Sequence, residues 1–405
     1  MPTSNMQRVA HRTLLPGVLA VLLVCTATAP SHAESIRSQQ WHLTAMKAEE
    51  MWKITKGEGV TVAVIDSGVD DQNPDLRGRV LEGKDFAPAT KGDQHTDYRG
   101  HGTGMAGLIA GTGESGGGDG AFGLAPGAKI LPIRVHENAS AFPKAIRYAA
   151  DAGAKVINIS MGSEVETPGG PWQAESDAVK YALDKGALIF AAVGNNGDSS
   201  LSYPAATPGI VGIGAIGQDL RKTSASQYGP QVDLAAPGID MVHACGGKTE
   251  LCKSSGTSDA TALASASAAL IWSKHPDWTN NQVLRVMLNT AAGPTSGAKR
   301  NDYIGYGVVR PRIALKTPGD PGPADEYPLP DLAAAEPMSP SPKASESAGT
   351  KNEEDKQSAA VPAHDDDSDS ALWITLGVGA AALLGAAIAI PVVRARRRNT
   401  TSIAH

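Results

Sequence analysis

The segment Ser254-Ser255-Gly256-Thr257-Ser258 and the small-residue run that follows it, Asp259 to Leu270, organise the whole chain. The run is rich in alanine, so it predicts a helix that begins at Ser258. A serine at the N-terminus of a helix lies at the positive end of the helix dipole, where a developing negative charge is stabilised. Ser258 is therefore a candidate nucleophile, provided that the chain also supplies a base, a group that orients the base, and donors for an oxyanion.

Upstream of Ser258, predicted strands alternate with predicted helices. The β-branched run Val60 to Ile65 indicates a buried parallel strand that delivers Asp66 at its end. His101 stands at the start of a predicted helix, and Asn195 follows another predicted strand. This alternation predicts an α/β fold with a parallel sheet covered on both faces and a site at the carboxyl ends of the strands. The remaining predicted strands span 128–135, 155–161, 187–193 and 210–216, and the predicted helices span 45–52, 141–152, 173–185, 258–274 and 280–290.

Asp66, His101 and Ser258 are the residue types that acyl transfer requires. Ser258 would attack a peptide carbonyl while His101 removes its proton, and Asp66 would orient the imidazole. Asn195 and the backbone N–H of Ser258 would donate hydrogen bonds to the oxyanion. The predicted reaction is the hydrolysis of peptide bonds in a protein or peptide substrate.

Four local strings resemble those of the subtilisin-type serine proteases: Asp66-Ser67-Gly68, His101-Gly102-Thr103, Gly194-Asn195 and Gly256-Thr257-Ser258. Their chain order of Asp, His and Ser is also that of the family. The resemblance implies a subtilisin-like three-layer α/β/α fold with a mostly parallel sheet, and a catalytic domain over 59–316. It also implies that Ser160, Met161, Gly162, Ala191 and Ala192 line a substrate cleft, for which ordinary strand ends are the alternative.

Within that family the chain looks most similar to the mycosins, membrane-anchored proteases associated with actinobacterial type VII secretion. The similarity lies in Gln39-Gln40-Trp41, in the short N-terminal extension over 34–58, and in the organisation of the C-terminal third. It implies components of a secretion machine as partners. Where most subtilases carry Met after the nucleophile and Pro a few residues later, this chain has Asp259 and Ala262, and Gly104 replaces a His that is common in the family.

Asp259 supports a second function hypothesis. A carboxylate in the first helical turn suits the helix dipole, but it places negative charge near the position of the oxyanion. The alternative is therefore a weakly active or inactive subtilase fold that serves as a structural subunit of a secretion complex.

Composition and spacing exclude several other classes. The formal net charge of −6 and the lack of a basic stripe in the central region argue against nucleic acid as a partner. Gly111, Gly113 and Gly116 match a dinucleotide string, but a predicted helix precedes them instead of a strand. His95, Asp97 and His101 do not have the spacing of a metal site. No cofactor is predicted, and bound calcium is left open.

The two ends of the chain predict export and anchoring. Arg8, Arg12 and the apolar segment that follows them indicate a signal peptide over 1–33. Cys25 would leave with that signal, and export favours a disulfide between Cys245 and Cys252 over two free thiols.

The C-terminal region is predicted to hold three segments. Residues 317–370 are rich in Pro, Ala, Ser and acidic residues and are expected to form a disordered linker. Residues 371–393 include an uncharged run from Leu372 to Val393 that is long enough to cross a bilayer, for which a buried core helix is the alternative. The arginine-rich tail over 394–405 then lies in the cytoplasm, so the catalytic domain is expected on the outer face of the cell membrane, held by a single span.

Overall fold

Seven parallel strands form the central sheet of the molecule, which a computed structural model describes over residues 35–136, 141–163, 172–245 and 251–335. The strand order is β2-β3-β1-β4-β5-β6-β7, and all neighbouring pairs are parallel. The strands are β1 Thr61–Asp66, β2 Lys84–Asp85, β3 Lys129–Arg134, β4 Val156–Ile159, β5 Leu188–Ala192, β6 Val211–Ile216 and β7 Leu234–Pro237.

Helices cover both faces of the sheet because the strands present apolar side chains to both sides. Val62 and Val64 of β1 belong to one hydrophobic core, and Ala63 and Ile65 belong to the other. The first core lies under α4 His101–Ala110, α8 Thr257–Lys274, α9 Asn280–Thr290 and α10 Pro311–Lys316. The second lies under α6 Phe142–Asp151 and α7 Trp172–Asp184. The predicted three-layer α/β/α arrangement is thereby confirmed.

Helix α8 is the centre of the first layer. Its residues from Thr257 to Trp272 are all buried, and it contacts β1 and each of β4 to β7. The small alanine and serine side chains allow this close approach of a helix to a sheet. The N-terminus of α8, with Ser258, is consequently fixed at the carboxyl edge of the sheet.

The N-terminal extension is part of the folded body. It forms α1 Ile36–Gln39, α2 Trp41–Met46 and α3 Ala48–Trp52, with Lys47 in the left-handed conformation between the last two. Leu43 and Met51 are fully buried in the first core. The helix predicted over 45–52 is therefore interrupted, because the chain turns at Lys47 to bury both apolar faces.

The remaining elements are short. They comprise a 3-10 turn at Pro74–Leu76, α5 Ser115–Gly118 and α11 Pro330–Ala335. An antiparallel hairpin consists of β8 Met241–Ala244 and β9 Leu251–Ser254. This hairpin packs against α4.

The prediction of a disordered linker from residue 317 onwards is wrong for 317–335. Arg285 of α9 donates hydrogen bonds to the carbonyl oxygens of Pro321, Pro323 and Glu326, and Leu329 is buried in the first core. Backbone carbonyls satisfied by a single arginine compensate for the low hydrophobicity of this segment. Residues 336–370 lie outside the described residues.

Within the described ranges, no helix is both long and apolar enough to cross a membrane. The predicted signal peptide (1–33), the predicted span (371–393) and the predicted tail (394–405) all lie outside those ranges.

Candidate active site

Asp66 and His101 meet at the carboxyl edge of the sheet. Asp66 is the last residue of β1 and is fully buried, whereas His101 is the first residue of α4. His101 Nδ1 lies 2.9 Å from Asp66 Oδ1 and 3.0 Å from Oδ2. Because carboxylate oxygens only accept hydrogen bonds, Nδ1 carries the proton and Nε2 of the neutral ring is left as the acceptor.

A second carboxylate, Asp97, fixes the loop that delivers His101. Its Oδ1 accepts hydrogen bonds from Ser67 Oγ at 2.7 Å and from the N–H of Gly100 at 2.8 Å, and its Oδ2 accepts from the N–H of Thr103 at 2.8 Å. Ser67 Oγ in turn accepts from the N–H of Gly102. Asp97, considered from its spacing only as a metal ligand and dismissed, thus ties the start of α4 to the end of β1.

The ion pair raises the pKa of His101 to about 9, chiefly because the Asp66 carboxylate favours the imidazolium, while burial opposes the shift. The hydrogen bond to Asp66 raises it further. The His101 side chain keeps 35% of its surface exposed, so it is open to solvent on the side away from Asp66.

Ser258 lies at the N-terminus of α8 and faces the turn after β4. Its hydroxyl donates a hydrogen bond to the carbonyl oxygen of Ser160 at 2.9 Å, and Ser160 Oγ donates to the carbonyl oxygen of Ser258 at 3.1 Å. These two reciprocal hydrogen bonds place Ser258, the predicted nucleophile, beside Ser160, a predicted residue of the cleft. To hydrogen-bond with His101, the Ser258 side chain has to rotate away from Ser160.

Asn195 follows β5 and is oriented by Thr257. Its Oδ1 accepts from the N–H of Thr257 at 2.9 Å and from Thr257 Oγ1 at 3.1 Å. A backbone N–H can only donate, so the amide oxygen must be the atom that faces Thr257, and the two N–H bonds of Nδ2 are directed elsewhere. The N–H of Ser258 is among the first four of α8, which have no partner within the helix.

A cavity of about 230 Å³ brings the predicted residues together. Its lining comprises Asp66, Arg99, His101, Ser160, Met161, Gly162, Asn195 and Ser258. Arg99 was not predicted from the sequence, since an arginine before the Gly-His string carries no pattern of its own.

Ala191 and Ala192 correct the cleft prediction. Both are buried in β5, where Ala191 pairs with Ile159 and Gly212, and Ala192 pairs with Ile213. Their backbones are used within the sheet, so they are core residues and do not line the cavity.

A sequence model of the subtilase family, peptidase family S8, matches residues 57–307. The chain belongs to the subtilase family. A thermophilic serine proteinase from Bacillus sp. strain AK1 is 38% identical over 264 residues, which cover 64% of this chain and 62% of that protein. The chain therefore spans less than two thirds of that relative's length.

Two solved structures relate this subtilase to the mycosins. MycP1 with its N-terminal propeptide removed is 30% identical and aligns with a TM-score of 0.61 over 70% of this chain and 99% of that one. The MycP3 protease from the type VII (ESX-3) secretion system is 31% identical and aligns with a TM-score of 0.57 over 68% of this chain and 88% of that one.

In this subtilase the residue after the nucleophile candidate is turned away from the cavity and into the protein. Asp259 is 2% exposed, and its Oδ1 accepts a hydrogen bond from Ser254 Oγ. Ser254 Oγ lies 2.7 Å from Nε2 of His243, a buried residue of β8. Sequence reasoning missed both Ser254 and His243.

Gly104 is the signal that could have pointed to His243. A Cβ atom built on Gly104 would lie 2.7 Å from His243 Cε1, so the imidazole fills the space beside this glycine. Gly104 occupies the position where the family commonly has a histidine, and its lack of a side chain leaves room for His243 of β8.

The hairpin that carries His243 and Ser254 is closed by a disulfide between Cys245 and Cys252. Cys252 pairs with His243 in the β8 and β9 register, and Asn73 donates a hydrogen bond to the carbonyl oxygen of Cys245. The cross-link joins the two strands of the hairpin to each other, and the hydrogen bond from Asn73 ties the hairpin to the segment after β1.

Proposed function

We propose that this subtilase is an active serine endopeptidase in which Ser258 is the nucleophile, His101 the general base and Asp66 the residue that orients His101. The observation that carries the proposal is the contact of His101 Nδ1 with both oxygens of the fully buried Asp66. Family membership and the shared cavity support it further.

The geometry supports the following sequence of proton transfers. Once Ser258 Oγ rotates from the Ser160 carbonyl to His101 Nε2, the imidazole can take its proton as the oxygen attacks the peptide carbonyl carbon. The imidazolium is stabilised by Asp66 and returns the proton to the leaving amine as the C–N bond breaks. Water then attacks the acyl-enzyme, with His101 again as base, and regenerates the serine.

Asn195 and the backbone of Ser258 are proposed to form the oxyanion hole. Thr257 holds the amide of Asn195 by its oxygen, which leaves Nδ2 available to donate. The N–H of Ser258 at the start of α8 adds a second donor together with the helix dipole.

The alternative of a weakly active structural subunit is less well supported. It rests on the negative charge of Asp259 next to the nucleophile and on the predicted membrane anchor, yet the Asp259 side chain is buried, bonded to Ser254 and outside the cavity lining. A role beside a secretion machine remains compatible with activity.

Labelling with a fluorophosphonate probe tests the proposed activity. The full-length protein should be labelled and Ser258→Ala should not. Ser255→Ala is the matched control, since this neighbouring serine is exposed and its Oγ accepts from the N–H of Asp240. No labelling of folded wild-type protein, or undiminished labelling of Ser258→Ala, would contradict the proposal.

We further propose that the protein is anchored on the outer face of the cytoplasmic membrane and acts with a type VII secretion system. Support comes from the uncharged run before the arginine-rich tail and from the likeness to a protease of the type VII (ESX-3) system. Removal of 371–405 should move the protein from the membrane fraction to the culture fluid. Retention in the membrane fraction would contradict the anchor.

A further inference from the structure

Asp259 and His243, which are both buried, are joined through the half-buried Ser254 into a hydrogen-bonded chain next to the proposed nucleophile. Ser254 Oγ is bonded both to Asp259 Oδ1 and to His243 Nε2. His243 Nδ1 lies 2.6 Å from the carbonyl oxygen of Ala244. Asp259 and His243 are 2% and 4% exposed, so water does not screen either group well.

The hairpin explains why these side chains meet. Ser254 pairs with Met241 in the register of β8 and β9, and His243 lies two residues after Met241 on the same face. Ser254 and His243 are thus diagonal neighbours on one side of the hairpin. Asp259 reaches Ser254 from the first turn of α8.

The hydrogen-bond partners fix the number of protons that Asp259, Ser254 and His243 hold together. The Ala244 carbonyl only accepts, so His243 Nδ1 carries a proton in every state. If Ser254 donates to Asp259, then Nε2 must be protonated to bond Ser254, which makes an imidazolium opposite a carboxylate. If Ser254 donates to Nε2, then Asp259 must be protonated to bond Ser254. One proton is therefore shared, and the chain has no net charge in either arrangement.

Burial favours the second, neutral arrangement. Desolvation raises the pKa of Asp259 and lowers the pKa of His243, so the proton is drawn from the imidazole to the carboxyl. The hydrogen bond from Ser254 and the charges of the two neighbouring histidines oppose the shift of Asp259.

We propose that Asp259, Ser254 and His243 are a proton-sharing chain that holds the carboxyl next to Ser258 without net negative charge, so that Asp259 does not oppose oxyanion formation. Asp259 is then a positioning residue that acts on the charge of the site. The proposal rests on the proposed function for its effect on catalysis, but the proton count itself does not depend on activity.

Other charged and titratable groups face this region. Asp66 and Arg99 act on His101, Asp97 lies beside Ser67, and His42 and Arg37 of the N-terminal helices lie on the side of His243. All of them are retained when Asp259 alone is changed. A difference between wild type and Asp259→Asn therefore reports the shared proton.

Spectroscopy on inactive full-length protein tests the proton count directly. In the Ser258→Ala background at neutral pH, infrared difference spectra against Ser258→Ala/Asp259→Asn read the protonation of Asp259, and ¹⁵N NMR of the histidines reads that of His243. A protonated Asp259 carboxyl with neutral His243, or an Asp259 carboxylate with a His243 imidazolium, supports the proposed sharing of one proton. A carboxylate with neutral His243, or a carboxylic acid with imidazolium, overturns it.

The pH profile of kcat/KM tests the consequence for catalysis. Asp259→Asn should keep kcat/KM within about threefold and leave the acidic limb in place, because a neutral chain is replaced by a neutral amide. It should also abolish a decline of about tenfold at alkaline pH, where the wild-type chain loses its proton and becomes negative. A downward shift of the acidic limb by about one pH unit in Asp259→Asn would overturn the proposal. Absence of fluorophosphonate labelling in wild type would refute the proposed function and leave the spectroscopic result intact.

Discussion

Among the residues that the structure describes, two carboxylate and histidine pairs lie close to Ser258, and they differ in how the partners meet. Asp66 and His101 are in direct contact, with 2.9 Å between Oδ1 and Nδ1, whereas Asp259 reaches His243 through the hydroxyl of Ser254. Direct contact raises the pKa of His101 to about 9, while the pKa of His243 is lowered because burial outweighs the more distant charge. The same two residue types thus give a charged pair in one place and a neutral one in the other.

The degree of burial accounts for the second half of this contrast. His101 keeps a third of its surface open to solvent, whereas the ring of His243 in β8 is buried against Gly104 of α4. A partly solvated imidazolium retains hydration that a buried one loses. The pair at the cavity can therefore carry a changing charge during a reaction, and the pair behind it is suited to hold a constant one.

The largest contrast between the two pairs is expected from replacing each carboxyl group by its amide. Asp66→Asn should lower kcat by about 10⁴, because the amide favours the wrong tautomer of His101. Asp259→Asn, the matched change in the other pair, should stay within about threefold. Steady-state kinetics on a peptide substrate measure both values. Equal losses in the two variants would remove the functional distinction between the pairs.

A smaller loss is expected from the oxyanion side, which involves neither pair. Asn195→Ala should lower kcat by about 10² to 10³ with little change in KM, since the donor acts on charge that develops in the transition state. An unchanged kcat would exclude Asn195 from the oxyanion hole. Because Thr257 is bonded to Asn195, circular dichroism should accompany the kinetics to show that the helix start is intact.

The pH dependence of the wild-type protein sharpens the contrast in pKa. The general base must be neutral, and the Asp66 charge favours protonated His101, so activity should increase as the pH rises through the pKa of His101. The midpoint of the acidic limb of kcat/KM should lie well above the ordinary 6.5 of histidine, toward about 9. A midpoint at or below the ordinary value would contradict the direct ion pair.

The smallest effect is expected from displacing His243 without changing it. Gly104→Ala would place a Cβ 2.7 Å from His243 Cε1. The free energy of unfolding should fall by about 1–3 kcal/mol, as is common for overpacking. Urea denaturation of Gly104→Ala, His243→Ala and the double variant measures the coupling of the two sites. Additive losses would mean that the ring does not depend on the space at Gly104.

The sequence alone was enough to predict the parallel sheet and the residues that lie at its carboxyl edge. Asp66 and Asn195 follow apolar runs whose burial on both faces leaves little choice of structure, and their position at strand ends brings them to one edge. The small side chains of α8 likewise predicted a helix in close contact with the sheet.

What the sequence did not predict depends on contacts between distant segments. His243 and Ser254 meet Asp259 only through the register of a hairpin, and Arg285 orders 317–335 through backbone carbonyls that have no sequence signature. Ala191 and Ala192 were wrongly assigned to the cleft. The sequence of one strand does not reveal where the neighbouring strands end, and here they still pair with both alanines.

The contacts of the N-terminal extension determine which boundaries an expressed fragment needs. The Gln40 amide bonds the backbone of Phe122 and the carbonyl of Val242, the residue before His243, and Trp41 Nε1 donates to the carbonyl of Ile239. A product trimmed to the family limits of 57–307 would lose these bonds and the core contributions of Leu43 and Leu329. The shortest expression product worth making runs from 35 to 335.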